Sequence, residues 1–184
     1  MKRIKVKELM ISLADFATVD EEATLFEVVQ ALKQAHEQYT KSPFRHRAVL
    51  VFNKEGKLTG RIRLWDVLQG LEPGYQEITH LEHTSGLGFS AEFMRDTLES
   101  AGLWQRPLDD ISRKAVDIKA KDVMHVPPKD EYISEDDSLD HAIHHLVMGR
   151  FPSLIVTRGE KVVGILRVAD VYDEIGKAME TCHL

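Results

Sequence analysis

One spacing is written twice in this chain, and it limits the fold more than any other feature. The stretch "GRIRLWDV" at 60–67 returns as "GILRVADV" at 164–171, with Gly, Arg, Asp and Val in the same places. The likeness extends outward in the same order. "IKVKELMI" at 4–11 matches "IKAKDVMH" at 118–125, and "TVDEEATLFEVVQAL" at 18–32 matches "YISEDDSLDHAIHHL" at 132–146. "RAVLVFNKEGKLTGRIRLWDV" then runs alongside "PSLIVTRGEKVVGILRVADV", after an insertion near 36–44 in the first copy. Such a unit is expected to complete its core against its own copy.

Each copy reads locally as strand–helix–strand–strand–helix. Thr24 and Ser138 are N-cap residues at the head of helical stripes. The stripes are Leu25, Val28, Val29 and Leu32 in one copy, and Leu139, Ala142, Ile143 and Leu146 in the other. "AVLVF" and "SLIV" are short apolar runs expected as buried strands. Gly56 and Gly159 supply the turns of the hairpins that follow. "LWDVLQGL" and "VADVYDEIGKAM" resume helical spacing, and a short strand is expected at 18–19 and at 132–133. The fold class is α/β: two βαββα units packed as a pseudo-twofold pair with a helical connector between them. The division expected is 1–71, 72–117 and 118–184. In the connector, "SAEFMRDTLESAGL" has the signals of a helix over 90–101, and "PLDDISRKA" those of a second, short one.

Composition narrows the function. The chain has 184 residues, 43% hydrophobic, with a net charge of -6. An acidic total argues against nucleic-acid binding through phosphate contacts, yet leaves room for a local basic pocket. Cys182 is the single cysteine, so no internal disulfide forms. The start, "MKRIKVKELM", has no apolar core of a signal peptide, and no apolar run approaches the roughly 20 residues of a membrane span. A cytoplasmic protein is expected.

With these residues in view, the chain resembles a tandem cystathionine-β-synthase (CBS) domain pair, or Bateman module. The resemblance rests on "VKELM" and "AKDVM", on the duplicated element order and on the Gly-to-Asp endings; the connector lies outside it. It implies that Asp66 and Asp170 hold the ribose hydroxyls of an adenosine ligand. A carboxylate suits a vicinal diol because it accepts two hydrogen bonds. The family usually has Thr or Ser three residues before that Asp, and here Arg63 and Arg167 stand there. An Arg cannot cap a helix as a hydroxyl does, but its fork can bind phosphate. That favours AMP, ADP or ATP over S-adenosylmethionine. The same Arg could instead pair with the Asp and fill the cleft. The adenine contacts expected are Thr18, Val19, Tyr132, Ile133, Ala48 and Ser153.

No catalytic constellation is visible: no Gly-x-Ser-x-Gly elbow, phosphate-binding P-loop or His-Glu-x-x-His. His141 and His145 share a helix face, and His80 and His83 form another pair. Neither has a third ligand at recognisable spacing, so no metal is expected. Trp65 and Trp104 are candidate interface anchors or core residues. The expected function is a non-catalytic regulatory module that binds an adenosine nucleotide in inter-unit clefts and signals by conformation or partner contacts. The resemblance implies a homodimer, with an effector protein as a further partner. The alternative is a ligand-free dimeric scaffold for protein–protein contact.

Overall fold

The computed structural model describes residues 4–40, 42–72, 90, 96 and 108–181. The first half runs α1 (Val6–Leu9), β1 (Ile11–Ser12), a 3-10 turn (Leu13–Asp15), β2 (Thr18–Asp20), α2 (Leu25–Gln38), β3 (Ala48–Phe52), β4 (Leu58–Arg63) and α3 (Leu64–Leu71). The second runs α4 (Leu108–Lys114), α5 (Ala120–Val123), a 3-10 turn (Lys129–Glu131), β5 (Tyr132–Ser134), α6 (Leu139–Gly149), β6 (Ser153–Arg158), β7 (Lys161–Arg167) and α7 (Val168–Thr181). The order is the expected βαββα in both copies, and α4 is the short helix expected from "PLDDISRKA". The helix expected over 90–101 lies outside the described residues except at Ser90 and Asp96. Trp104, His80, His83 and Cys182 lie outside them as well.

Each half builds a sheet of one parallel and one antiparallel pair: β2–β3–β4 and β5–β6–β7. The central strands are buried on both faces, which explains their unbroken apolar runs. Val49 and Val51 face the core of the first half with Leu25, Val28 and Ile62. Leu154, Val156 and Leu166 face that of the second with Leu139, Ala142 and Leu146. The residues between them point the other way. Leu50, Ile155 and Ile165 meet Ile11 and Phe16 in a third core between the sheets. This is the surface that duplication exists to bury.

The segments leading into the two repeats are exchanged, which periodicity alone did not reveal. Ile11 and Ser12 pair antiparallel with Ile165 and Gly164, so β1 becomes the fourth strand of the second sheet. Val6 lies in the core of the second half, whereas Ala115 and Ala120 lie in that of the first. The exchange also satisfies the helix starts. The Leu25 N–H donates to the Ile118 carbonyl at 2.8 Å, and the Leu139 N–H donates to the Ile4 carbonyl at 2.8 Å. Ile4 and Ile118 are equivalent positions of the repeat, so the contact recurs with the halves interchanged, as a pseudo-twofold relation requires. Thr24 forms a full capping box with Glu27, the Glu27 N–H reaching its Oγ1 at 3.2 Å and its own N–H reaching Glu27 Oε2 at 2.6 Å. Ser138 sits at the N-cap position of α6 without a side-chain bond. Packing of the stripe is uneven as well: Leu25 and Val28 are buried, but Val29 is exposed.

The exchange accounts for the repeated glycine. A Cβ on Gly164 would come within 2.3 Å of the Ile11 carbonyl oxygen, and one on Gly60 within 2.4 Å of Met124 Sδ. Met10 also lies 3.1 Å from the Gly164 position, and it is the counterpart of Met124 in the repeat. Backbone cannot yield as a thioether can. Gly164→Ala is therefore expected to destabilise by about 1–3 kcal/mol, the usual cost of overpacking, and Gly60→Ala by less. Gly176, inside α7 with nothing within 4 Å of a new Cβ, is the contrast. Gly176→Ala should stabilise by about 0.5–1 kcal/mol. Urea unfolding midpoints at unchanged slope would check the order.

Candidate ligand-binding site

Each second helix starts where the hairpin strand before it ends, and the repeated Arg and Asp lie across that junction. Arg63 is the N-cap of α3 in an extended conformation. Asp66, in the first turn, accepts the Arg63 backbone N–H at 2.7 Å and its Nε at 2.9 Å on one oxygen, and Nη2 at 2.8 Å on the other. The carboxylate thus does the capping that the Arg cannot, in a position the helix dipole favours. Asp66 is buried, while Arg63 is partly open and lies 5.6 Å from the Trp65 ring. Trp65 itself is 57% exposed, so it is no core residue.

The second copy repeats the pair and adds to it. Arg167 Nε meets Asp170 Oδ2 at 2.5 Å and Nη2 meets Oδ1 at 2.6 Å. The insertion of the first half reaches across to both. Ser42 Oγ donates to Asp170 Oδ1 at 3.2 Å, and Arg167 Nη1 donates to the Phe44 carbonyl at 2.7 Å. The Arg167 guanidinium also lies 5.6 Å from the Tyr39 ring. Beside this strap are two cavities that share Tyr39. One, of about 230 Å³, is lined by Phe16, Thr18, Ala31 and Gln34 among others. The other, of about 140 Å³, lies against His36 and the 42–46 segment.

The expected adenine contacts divide. Ala48 stands opposite Arg63 in the β3–β4 register, and Ser153 opposite Arg167 in the β6–β7 register. Thr18 lines the larger cavity. Tyr132 packs against the inter-sheet core, and burial raises its phenol above the usual range. Val19 packs against the core of the first half, and Ile133 lies in that of the second.

Two groups escaped the sequence reading. Arg61 on β4 is 1% exposed; its Nη2 lies 2.9 Å from Glu131 Oε2 and donates to Oε1 at 3.1 Å, and Nη1 reaches Ser153 Oγ at 3.4 Å. Burial lowers the Arg61 pKa and the facing Glu131 carboxylate opposes that shift. The signal was a charge at a position where the other copy has Ile165. His46 is the second. It is 1% exposed, packed among Phe16, Tyr39 and His36 with ring centroids at 4.7, 4.9 and 5.9 Å. Its equivalent in the repeat is the apolar Phe151. His36 Nε2 donates to the His46 carbonyl at 2.6 Å, while neither His46 ring nitrogen has a hydrogen-bond partner among the described residues.

The His141 and His145 rings touch edge to face at 4.7 Å. His141 Nδ1 lies 3.7 Å from Asp137, and His145 Nδ1 donates to the Asp130 carbonyl. Among the described residues no group of three His, Cys, Asp or Glu is placed to hold a metal ion.

The CBS domain family matches the chain over residues 6–72 and 120–177, so the chain belongs to that family as a tandem pair. Solved structures bear out the fold. The CBS domain of a CBS domain containing membrane protein from Sphaerobacter thermophilus superposes with a TM-score of 0.61 at 17% identity, covering 94% of this chain and 88% of that one. CBSX2 in complex with AMP gives 0.57 at 16%, covering 94% and 97%. The CBS domain of a bacterial CNNM/CorC family Mg2+ transporter gives 0.56 at 14%, covering 93% and 74%. No curated protein sequence matches.

Burial, aided by the nearby Arg167 cation, lowers the His46 pKa to about 4. His36 adds to the lowering; Asp170 and Asp15 oppose it. The unfolded chain then takes up the proton first, near 6.5. Stability from this group is complete above that value and drains away as pH falls towards about 4, with a slope of up to about 1.4 kcal/mol per pH unit. His46→Phe, which copies the second half, should flatten that limb. Chemical denaturation from pH 7 to 4 on both proteins measures it, and parallel curves would exclude His46 as the cause.

Proposed function

We propose that this CBS pair is a non-catalytic regulatory module that binds an adenosine nucleotide beside Asp170 and signals through the strap that now covers it. One observation carries the proposal. Ser42 gives Asp170 a hydroxyl donor, and Phe44 gives Arg167 an acceptor oxygen. A ribose diol and a phosphate would bring the same two functions to the same two side chains. The nucleotide therefore replaces the strap rather than a solvated surface, and the strap's release is the differential contact that couples binding to shape. Phosphorylated ligands are preferred to S-adenosylmethionine, whose sulfonium would face Arg167. The AMP-bound likeness of CBSX2 agrees with the choice of ligand class.

The domain map proposed is 1–71, 72–117 and 118–184 in sequence, with the exchanged segments packing across it. A homodimer through the second helices is part of the proposal. Leu64, Trp65 and Leu68 on α3 and Val168 and Tyr172 on α7 are large apolar side chains open to solvent. The connector and these helices are where an effector protein would dock, in the cytoplasm. Among the described residues no helix is long and apolar enough to cross a membrane. A ligand-free scaffold is the second reading, favoured by the closed state of both carboxylates, each already held by two guanidinium nitrogens.

Thermal melts decide between them. AMP, ADP and ATP should raise the melting temperature, with about 2.7 kcal/mol of stabilisation at a hundredfold excess over Kd. S-adenosylmethionine should do less. Arg167→Ala should cost more affinity for ATP than for adenosine. Ser42→Ala removes the strap's hydroxyl bonds to Asp170 and Arg167 and should tighten AMP binding about two- to tenfold. A flat response to all adenosine compounds at millimolar concentration, from a stable dimer, would establish the scaffold instead.

A further inference from the structure

We infer that the two clefts are not equivalent: the buried Arg61–Glu131 ion pair closes the one beside Asp66, so the chain takes a single nucleotide, beside Asp170. This depends on the function proposed above and assigns its stoichiometry.

Side chains two apart on a strand leave the same face of the sheet. Arg61 is therefore the same-face neighbour of Arg63 on β4, whose guanidinium holds Asp66 of α3, as Ile165 is the neighbour of Arg167 on β7, whose guanidinium holds Asp170 of α7. Leu50 pairs with Arg61 in the β3–β4 register, and Ile155 pairs with Ile165 in the β6–β7 register, so both positions face the seam between the sheets. A purine ring needs an apolar floor with a few placed polar groups. On the Asp170 side the equivalent side chain is apolar: Ile165 packs with Ile11, Phe16 and Ile155 in the inter-sheet core. On the Asp66 side it is a guanidinium whose fork crosses to Glu131 and Ser153 of the other half.

Both members of the pair depart from the repeat together. Glu131 precedes Tyr132 as Ala17 precedes Thr18, so the acid stands where the first half has a methyl group. The Arg61 and Glu131 side chains are 2% and 5% exposed. Parting them to admit a ring would strand each charge without water or a partner. The Arg61 backbone is fixed as well, exchanging N–H and carbonyl with His125 at 2.8 Å each. Among the described residues no comparable lock holds the second cleft. There the covering groups are one hydroxyl and one carbonyl of a loop, and a ligand can substitute for both.

Isothermal titration with AMP tests this. The wild type should bind one equivalent per chain, and Asp170→Asn should bind none. The double variant Arg61→Ile, Glu131→Ala gives the first cleft the residues of the second and removes both charges at once; it should bind two. Two equivalents in the wild type, or one surviving in Asp170→Asn, would overturn the inference. So would a double variant that folds and still binds only one. The wild type and Asp170→Asn decide the matter even if the double variant does not fold. Should the wild type bind nothing and the double variant one, the function proposed for the Asp170 cleft fails, while the closure of the Asp66 cleft by the ion pair stands. Binding by neither removes both.

Discussion

Each glycine of the repeated motif lies under a segment that belongs, in sequence, to the other repeat. A bare Cα is what allows Ile11 to lie against Gly164 and Met124 against Gly60. Everything larger follows from these two close approaches. Neither half finishes its core alone, because Val6 completes one and Ala115 and Ala120 the other. Neither first helix satisfies its opening N–H alone, because the acceptors at Ile118 and Ile4 arrive by exchange. The halves are thus bound by backbone and by core, and not only through the apolar seam of Leu50, Ile155 and Ile165. A joint of this kind resists wholesale rearrangement. Changes in shape must come from smaller parts that can leave without opening a core.

The Arg–Asp pairs are the next level. Each pair terminates a strand and begins a helix, so the carboxylate serves the helix dipole and the guanidinium in one place. What separates the two pairs is their surroundings. Arg63 and Asp66 sit beside the buried Arg61–Glu131 pair, with His125 Nε2 4.0 Å from Glu131. Arg167 and Asp170 sit beside aliphatic residues on one side and the strap with its ring cluster on the other. The surroundings of the first pair are thus charged and buried, and those of the second are apolar and covered by the strap.

Much of the fold could be read from the residues because periodicity and turn chemistry agree in both copies. Leu139, Ala142 and Leu146 announced α6, and Gly56 and Gly159 take the positive φ values, 75° and 60°, that their turns demand. The exchange of segments was not legible. "KELM" and "KDVM" reveal equivalence, but equivalence holds whether each packs on its own half or on the other. The site was half legible. Arg63, Asp66, Arg167 and Asp170 stood out because they repeat, and the tight pairing of each Arg with its Asp was one of the two arrangements the spacing allowed. Arg61, Glu131 and His46 were missed for the opposite reason. They do not repeat, and a search tuned to recurrence passes over the positions where the copies disagree. Ser42 lay in an insertion with no counterpart to compare.

On the function proposed, that disagreement between copies is where regulation would act. A symmetric pair with two identical clefts would respond to ligand by moving both halves alike, against the exchanged segments that hold them. An asymmetric pair can keep one cleft as a fixed joint and use the other as the moving part. The strap is suited to move because it holds Asp170 and Arg167 through one hydroxyl and one carbonyl, and because it follows α2, whose C-cap residue Tyr39 lies against the guanidinium. Releasing it would free Arg167 and Asp170 at the head of α7 and unseat the end of α2 in the same step. Both helices carry exposed apolar residues, Phe26 and Val29 on α2 and Tyr172 and Met179 on α7. On the function proposed, a small exchange of hydrogen bonds in one cleft would thus reach the exposed apolar faces of both helices, and the buried Arg61–Glu131 pair would give that motion something to turn against.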